Sequence, residues 1–179
     1  MGISFVNHKA KILIKDYPRA DSLKKEVLSL LTFTPHIPKD NTNVKAFHTD
    51  WNWYPDNVIF NNFKTFIINE IEKEYGRMSY ISDHGLSKTY KCADFWVNVY
   101  SKGEYAVTHA HDPSLYSFAY FLNSKWYDSP LIFSDSGKKI RPKEGKFVVF
   151  PSYLMHHVPK HRYDHNRITI SGNLDVSQQ

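Results

Sequence analysis

The second half of the chain most constrains the fold, because it consists of short strand-like stretches joined by turns. Eight such stretches cover residues 92–101, 104–109, 115–123, 130–134, 138–141, 146–150, 154–158 and 166–173. Tight turns that contain glycine connect several of them, for example at 101–104 and 135–137. Many short strands with tight turns are typical of a sandwich or a barrel, and a jelly roll fits this series best.

The first half predicts a short strand at 11–15 and two amphipathic helices. The apolar residues of the first helix recur at spacings of three and four: Leu23, Val27, Leu30 and Leu31. Those of the second share one face: Ile59, Phe63, Phe66, Ile67 and Ile71. Asp21 or Ser22 can cap the first helix, and Gly76 ends the second. The predicted fold is therefore mainly β with α (α+β), a jelly roll covered by two N-terminal helices.

Residues 32–57 show no periodicity and contain several proline and asparagine residues, which indicates a lid or an arm wrapped around the body. Trp51 and Trp53 are prominent aromatic residues of this segment. Two interpretations stay open for them. They pack the arm onto the body, as large aromatic side chains commonly do, or they contact a substrate.

Length and composition indicate one globular domain over residues 1–179. We expect helical support and the lid arm in 1–88, the β core in 89–174 and a frayed tail in 175–179. The single cysteine, Cys92, excludes an intramolecular disulfide framework. Neither a secretory signal nor an apolar run of membrane-spanning length is found, so we expect a soluble, cytoplasmic protein.

The net charge of +5 is compatible with nucleic acid or other anionic partners. The basic residues are scattered, however, and no basic run indicates nucleic-acid binding. A solvated basic surface is the simpler interpretation. Charge therefore identifies no partner.

Two of the ten histidines, His109 and His111, form a pair at the end of a predicted strand. Side chains at i and i+2 leave the same face of a strand, so both imidazoles can point into one cavity and bind a metal. His156, on a later short strand, can complete such a site. The neighbouring carboxylate, Asp112, lies where the strand ends. Surface positions are predicted for histidines in loops or polar stretches: His8, His36, His48, His84, His161 and His165.

Arg167 is predicted to point inward from the strand that pairs with the one carrying His156. Thr169 and Ser171 follow at i+2 and i+4 and share its face. Burying a guanidinium is costly unless an anion meets it. Either a salt bridge to an acidic side chain or a bound carboxylate ligand is therefore expected.

The segment from Trp96 to Asn173 resembles the iron(II)/2-oxoglutarate-dependent oxygenases. The resemblance is carried by four motifs in order: Trp96-Val97-Asn98, His109-Ala110-His111, Phe150 to Val158 with the pattern FPSxLxHxV, and Arg167 to Asn173, which is similar to RxSxSxN. Within the superfamily the chain looks like a small group with this pattern. It is more distantly similar to the prolyl hydroxylases, whose HxD motif precedes a proline-containing turn.

The resemblance implies a double-stranded β-helix that holds one iron(II), with His109 and His156 among its ligands. It also implies 2-oxoglutarate and dioxygen as co-substrates, and hydroxylation of a substrate coupled to decarboxylation of 2-oxoglutarate to succinate. The residues implied to hold 2-oxoglutarate are Arg167, Thr169 or Ser171, and Asn98. The substrate stays open: a prolyl or other side chain of a peptide, a small metabolite or a nucleobase.

One position departs from the family pattern, because His111 stands where the HxD motif has its aspartate. Either three histidines hold the iron and Asp112 orients one of them, or a shifted loop lets Asp112 complete the usual two-histidine, one-carboxylate set. Strand alternation favours His111. His157 should face away from the site, and Phe121 replaces a tyrosine of the relatives, so one phenol contact to 2-oxoglutarate would be absent.

Two other functions are compatible with the same residues. A three-histidine metal enzyme of the cupin type would not use 2-oxoglutarate and would not need an inward Arg167. A non-enzymatic jelly-roll binding module would not hold stoichiometric iron. Dependence on iron and on 2-oxoglutarate distinguishes the three.

Overall fold

The computed structural model describes residues 9–32, 42–76 and 88–178. Its two helices are α1 (Ala20–Leu31) and α2 (Val58–Tyr75). Its strands are β1 (Leu13–Asp16), β2 (Val44–Lys45), β3 (Phe47–His48), β4 (Lys88–Tyr100), β5 (Tyr105–His109), β6 (Tyr116–Asn123), β7 (Leu131–Phe133), β8 (Lys138–Ile140), β9 (Lys146–Pro151), β10 (His156–Val158) and β11 (Arg167–Gln178).

The strands form two antiparallel sheets, as a jelly roll requires. The larger sheet has the order β1-β9-β6-β11-β4-β3 and the smaller one the order β2-β5-β10-β7-β8. One apolar cluster combines residues of both sheets, such as Phe121 and Phe150 with Leu131 and Val158. The predicted mainly β fold with two N-terminal helices is confirmed.

The larger sheet is buried on both faces. In β9, Phe147 and Val149 join the apolar cluster of the helices, whereas Val148 and Phe150 join the cluster between the sheets. Successive side chains of a strand point to opposite faces, so a strand covered on both sides needs apolar residues at every position. The continuous apolar run of β9 follows from this placement.

The helices cover the outer face of the larger sheet. Fully buried residues from both helices join its aromatic residues: Leu23, Val27, Phe60, Phe63, Ile67 and Ile71. Asn57 caps α2, because its side-chain oxygen accepts hydrogen bonds from the amides of Ile59 and Phe60. The predicted caps of α1 were wrong: the helix begins at Ala20, and Asp21 lies in its first turn.

The second half of the predicted arm is part of the sheets. Val44 of β2 pairs with Ala106, and Phe47 of β3 pairs with Val99, so the chain passes from the edge of the smaller sheet to the edge of the larger one. Beyond β3, the amide of Trp53 donates to the carbonyl of Phe95. A free lid is therefore wrong for residues 42–53, since β4 and β5 supply backbone partners. Residues 33–41 lie outside the described residues.

The longest paired strands are β4 and β11, which pair from Arg167 opposite Tyr100 to Gln178 opposite Lys88, with one register shift between Asn173 and Leu174. The frayed tail predicted at 175–179 was wrong as far as Gln178, because β4 extends far enough to pair with it. None of the helices among the described residues is long and apolar enough to cross a membrane.

Gly172 lies in the middle of β11, where the neighbouring atoms leave no room for a side chain. A Cβ atom there would come within 2.4 Å of the Asp94 carbonyl oxygen and 2.5 Å of the Phe118 ring. Both distances are far shorter than a van der Waals contact. The glycine is therefore required by close packing and not by a turn.

Candidate metal centre

Three histidines converge at one end of the barrel. His109 ends β5, and His156 begins β10 directly opposite it. His111 follows after one residue and is held by a hydrogen bond from its amide to the Ser152 carbonyl, at 2.9 Å. One ligand nitrogen of each lies within 4.8 Å of those of the other two. The structure thus brings together the three histidines of the HxH and FPSxLxHxV motifs.

Backbone carbonyls fix the protonation of two of these rings. Nδ1 of His109 donates to the Val107 carbonyl at 2.7 Å, and Nδ1 of His156 donates to the Leu154 carbonyl at 2.8 Å. Because a carbonyl can only accept, each Nδ1 carries the proton and each Nε2 keeps its lone pair. This tautomer leaves Nε2 able to bind a metal, while the other ring nitrogen holds the ring in place.

The site also keeps the imidazoles uncharged. Burial, and then the neighbouring His156 and His109, lowers the pKa of His111 to about 3. Burial and the nearby His109 lower the pKa of His156 to about 4. Burial lowers the pKa of His109 as well. Neutral imidazoles are the form that binds a cation, so these donors fit a metal ion.

Asp112 does not join this group. Its side chain is exposed, and the carboxylate is absent from the clusters that the described residues form around a common point. His157, next to His156, instead forms a 2.9 Å hydrogen bond with Ser134. The neighbours of the inward His111 and His156 therefore lie outside the histidine cluster, as the alternation of side chains along a strand predicts.

Arg167 lies in the same cavity as the three histidines. Its residue is 1% exposed, and within the described part of the chain its Nε and Nη1 atoms have no hydrogen-bond partner. The guanidinium carbon lies 4.8 Å from the Tyr100 ring and 5.5 Å from the Phe121 ring. A buried cation with unused donors is costly, so the cavity fits an anion with two acceptor oxygens.

The other residues predicted to hold 2-oxoglutarate line this cavity too. The Asn98 amide nitrogen lies 3.2 Å from the Ser171 hydroxyl and 3.4 Å from that of Thr169. The Asn98 carbonyl oxygen is buried without a partner in the described part of the chain. Tyr100, which the sequence did not single out, brings a phenol next to Arg167 although Phe121 has none. Only its register opposite Arg167 in the folded sheet could have identified it.

A buried polar network joins the motifs behind the histidines. The Ser117 hydroxyl lies 2.7 Å from that of Ser152 and donates to the Asn173 side chain at 2.9 Å. Asn173 in turn donates to Asp94 at 2.9 Å. These contacts explain the serine and asparagine of the motifs as structural residues, because Ser152 positions His111 through its carbonyl.

The two tryptophans of the arm have different environments. Trp53 packs edge-on against Phe60 on the helix side, which agrees with the first of its two interpretations, packing of the arm onto the body. Trp51 is 38% exposed, and its ring centroid lies 4.9 Å from that of Trp96. Trp96 lines the cavity at 5.8 Å from the His111 ring. Trp51 is thus one aromatic side chain away from the histidines.

Two histidines predicted on the surface are buried. His48 is fully buried and stacks on Trp96, with ring centroids 5.7 Å apart. His161 is 1% exposed, because its backbone pairs with Glu104 and Gly103 in the turn before β5. These contacts join residues far apart in the sequence, so local polarity could not reveal them.

A comparison of sequences matches residues 134–173 to a family described as "Putative 2OG-Fe(II) oxygenase". The matched segment contains His156, Arg167, Thr169 and Ser171, but not the HxH motif. No curated protein matches the chain.

Solved structures share the fold over nearly the whole chain. The viral collagen prolyl hydroxylase of Paramecium Bursaria Chlorella virus-1 has a TM-score of 0.68 at 12% identity, covering 97% of this chain and 96% of that one. A prolyl-4-hydroxylase of Pseudomonas putida has a TM-score of 0.67 at 15% identity, covering 93% and 92%. HygX of Streptomyces hygroscopicus, solved with nickel and 2-oxoglutarate, has a TM-score of 0.65 at 8% identity, covering 93% and 83%.

The shared fold agrees with the double-stranded β-helix that the motifs imply. Residues 134–173 thus resemble the 2OG-Fe(II) oxygenase family, and the chain shares the fold of the prolyl hydroxylases.

Proposed function

We propose that the protein is a hydroxylase in which His109, His111 and His156 hold iron(II) and Arg167 binds the far carboxylate of 2-oxoglutarate. The observation that carries the proposal is the buried guanidinium of Arg167, whose Nε and Nη1 have no hydrogen-bond partner among the described residues and which shares one cavity with three neutral imidazoles. Thr169, Ser171 and Asn98 supply polar groups beside it. A single cavity can therefore accept a metal at one end and a carboxylate at the other.

When bound, iron(II) and 2-oxoglutarate supply the oxidative chemistry: dioxygen provides one oxygen atom to succinate, formed as 2-oxoglutarate loses carbon dioxide, and one to a C–H bond of the substrate. The chain's own residues orient the metal-binding imidazoles and exclude water from the cavity. The Val107 and Leu154 carbonyls orient His109 and His156. Apolar walls, such as Phe150 and Val158, keep water from the charged groups, which strengthens each electrostatic contact.

For the substrate we put forward a prolyl residue of a peptide. Two of the structures with a similar fold are prolyl hydroxylases. The exposed Trp51 indole beside Trp96 offers a flat apolar surface on which a prolyl ring can pack. A proline-containing peptide that gains one oxygen atom, detected by mass spectrometry, is the expected result. Oxidation of a nucleobase or a small metabolite in place of the peptide would overturn this substrate class.

The test of the cofactor site is spectroscopic. Iron(II) and 2-oxoglutarate added without oxygen should give a weak visible charge-transfer band in the wild type. The band should be lost in Arg167→Met at the same 2-oxoglutarate concentration, and kept in Arg141→Met, where an exposed arginine is replaced. A wild type that binds iron but shows no band would contradict the use of 2-oxoglutarate at this site.

The ligand set is tested with two neighbouring substitutions. If three histidines hold the iron, His111→Ala should lose stoichiometric iron, whereas Asp112→Asn should keep it. The opposite pattern in metal analysis would assign the carboxylate as the third ligand. The two substitutions form a matched pair because the residues are adjacent in the chain. His111 belongs to the histidine cluster, whereas Asp112 is exposed.

The role of Trp51 is tested against Trp53. Trp51→Ala should weaken the coupling of 2-oxoglutarate consumption to substrate oxidation, because its ring stands beside the cavity-lining Trp96. Trp53→Ala should lower stability without changing that coupling, since its ring packs against Phe60. Unchanged coupling in Trp51→Ala would remove the indole from substrate binding.

A further inference from the structure

We propose a second metal site, formed by Asp128, His161 and His165, for a divalent first-row cation such as Zn²⁺. One ligand atom from each residue lies within 4.8 Å of the other two. Asp128 and His161 are each 1% exposed. Two imidazoles and one carboxylate are a donor set that zinc accepts, with water as the fourth ligand.

His161 carries the strongest indication of a ligand. Its Nε2 donates to the His165 carbonyl at 2.8 Å, so its Nδ1 carries a lone pair. That Nδ1 atom is buried and has no hydrogen-bond partner in the described part of the chain. A buried acceptor without a donor costs free energy, and a cation bound to Nδ1 would remove this cost.

Asp128 supplies the negative charge and is already oriented for it. One carboxylate oxygen accepts a hydrogen bond from Nε2 of His165 at 2.9 Å, and the other accepts from the Lys125 amide at 2.8 Å. The carboxylate is thus held before any metal arrives. Metal binding through Nε2 of His165 would replace this hydrogen bond and requires the tautomer that carries the ring proton on Nδ1.

The site is separate from the three histidines proposed to hold iron. His161 pairs with Glu104 in the turn that precedes β5, whereas His109 is the last residue of that strand. Five residues of extended chain separate the turn beside His161 from His109 by roughly 15 Å. The two sites therefore lie at opposite ends of β5.

The position suggests what the metal would do. Asp128 lies in the connection from β6 to β7, and the two histidines lie in the connection from β10 to β11. His165 is two residues before Arg167, the first residue of β11. A cation shared by the two connections would fix the segment that leads into Arg167 and so hold the guanidinium in the cavity.

The experiment removes the first site and asks whether metal still binds. In His109→Ala/His156→Ala, equilibrium dialysis with Zn²⁺ alone should leave one equivalent per chain, and Co²⁺ should give the visible bands of a four-coordinate site. Adding Asp128→Asn should abolish both signals. The matched control is Asp164→Asn, an exposed carboxylate next to His165 that pairs with Lys102 and should leave binding unchanged.

Absence of the zinc equivalent in the double variant, or binding that persists unchanged after Asp128→Asn, would overturn the proposal and leave the cluster as a hydrogen-bonded pair of loops. If the double variant does not fold, the same titration in the single variant Asp128→Asn decides: one equivalent against two in the wild type supports the site, and equal numbers overturn it. The outcome is independent of the iron and 2-oxoglutarate band, which reports the first site.

Discussion

The two faces of the β4–β11 pair use one backbone for different purposes. The helix-facing residues are apolar and belong to the main core: Phe95, Val97, Ile168, Ile170 and Leu174. The barrel-facing residues line the cavity: Trp96, Asn98, Tyr100, Arg167, Thr169 and Ser171. Because a strand alternates with a period of two, residues that stabilise the fold directly precede and follow residues that line the cavity.

Residues that stabilise this fold and residues that line the cavity are therefore separate positions that alternate along the same strands. The helix-facing side is apolar and buried, and it stabilises the fold through close packing. The barrel-facing side keeps polar atoms that no other described residue contacts through a hydrogen bond, such as Nε of Arg167 and the Asn98 carbonyl oxygen. Unused polar groups lower the stability of a protein without ligand, so the cavity side costs stability that the helix side supplies.

The largest effect is expected where the alternation decides metal binding. His156→Ala removes an inward imidazole and should abolish stoichiometric iron and all activity, because two protein ligands remain. His157→Ala removes its outward neighbour, whose ring binds Ser134, and should keep the iron. Metal analysis of the two purified variants checks this. Equal iron contents in the two variants would contradict the different roles of His156 and His157 in β10.

The next effect concerns the helix-facing side. Ile170 is fully buried in the main core, so Ile170→Ala should lower the free energy of unfolding by about 2–5 kcal/mol. The Michaelis constant for 2-oxoglutarate should stay close to that of the wild type, since the side chain points away from the cavity. Urea unfolding and steady-state kinetics measure the two quantities. A weakened 2-oxoglutarate site in a variant that is still folded would show that the faces are coupled.

Arg167→Met should have the reverse pattern. Loss of charge-assisted hydrogen bonds should weaken 2-oxoglutarate binding by about 1.5–3 kcal/mol, or roughly 10- to 100-fold in the dissociation constant. Without 2-oxoglutarate, the variant should be about as stable as the wild type, because an apolar side chain replaces a buried cation whose Nε and Nη1 have no hydrogen-bond partner among the described residues. Thermal unfolding with and without 2-oxoglutarate tests both parts. A strongly destabilised apoprotein would mean that Arg167 has a structural partner.

The smallest effect is expected for Thr169→Ala, next to Ile170 on the opposite face. Its hydroxyl contributes one neutral hydrogen bond, so 2-oxoglutarate binding should weaken by about 0.5–1.5 kcal/mol. The matched change Thr169→Ser keeps the hydroxyl and should restore most of the affinity. Titration of the charge-transfer band gives both values. No change in Thr169→Ala would leave Ser171 and Asn98 as the polar partners of Arg167.

The sequence predicts the features of the fold that depend on local alternation. The inward direction of His109 and His111 follows from their spacing of two, and the direction of Arg167 relative to Thr169 follows in the same way. The strand predicted over 146–150 is also found, and the structure extends it only to Pro151. Motif order then linked strands that are distant in sequence but share one cavity.

Features that depend on long-range pairing could not be predicted from local patterns. Nothing near residues 44–48 indicates that they pass between two sheets, since their partners are Ala106 and Val99. The polar tail after Asp175 is ordered by β4, and the polar stretch around His161 is buried by the turn before β5. In each case the partner lies dozens of residues away.

Gly172 strongly limits which substitutions this sequence can accept, although the residue has no side chain. It stands between Ser171, which lines the cavity, and Asn173, which holds the network behind the histidines. Any larger residue would push against Asp94 and Phe118 from the centre of the sheet, with neither direction free. In a library of single substitutions, position 172 should therefore tolerate fewer residues than either polar neighbour, although it contacts no ligand.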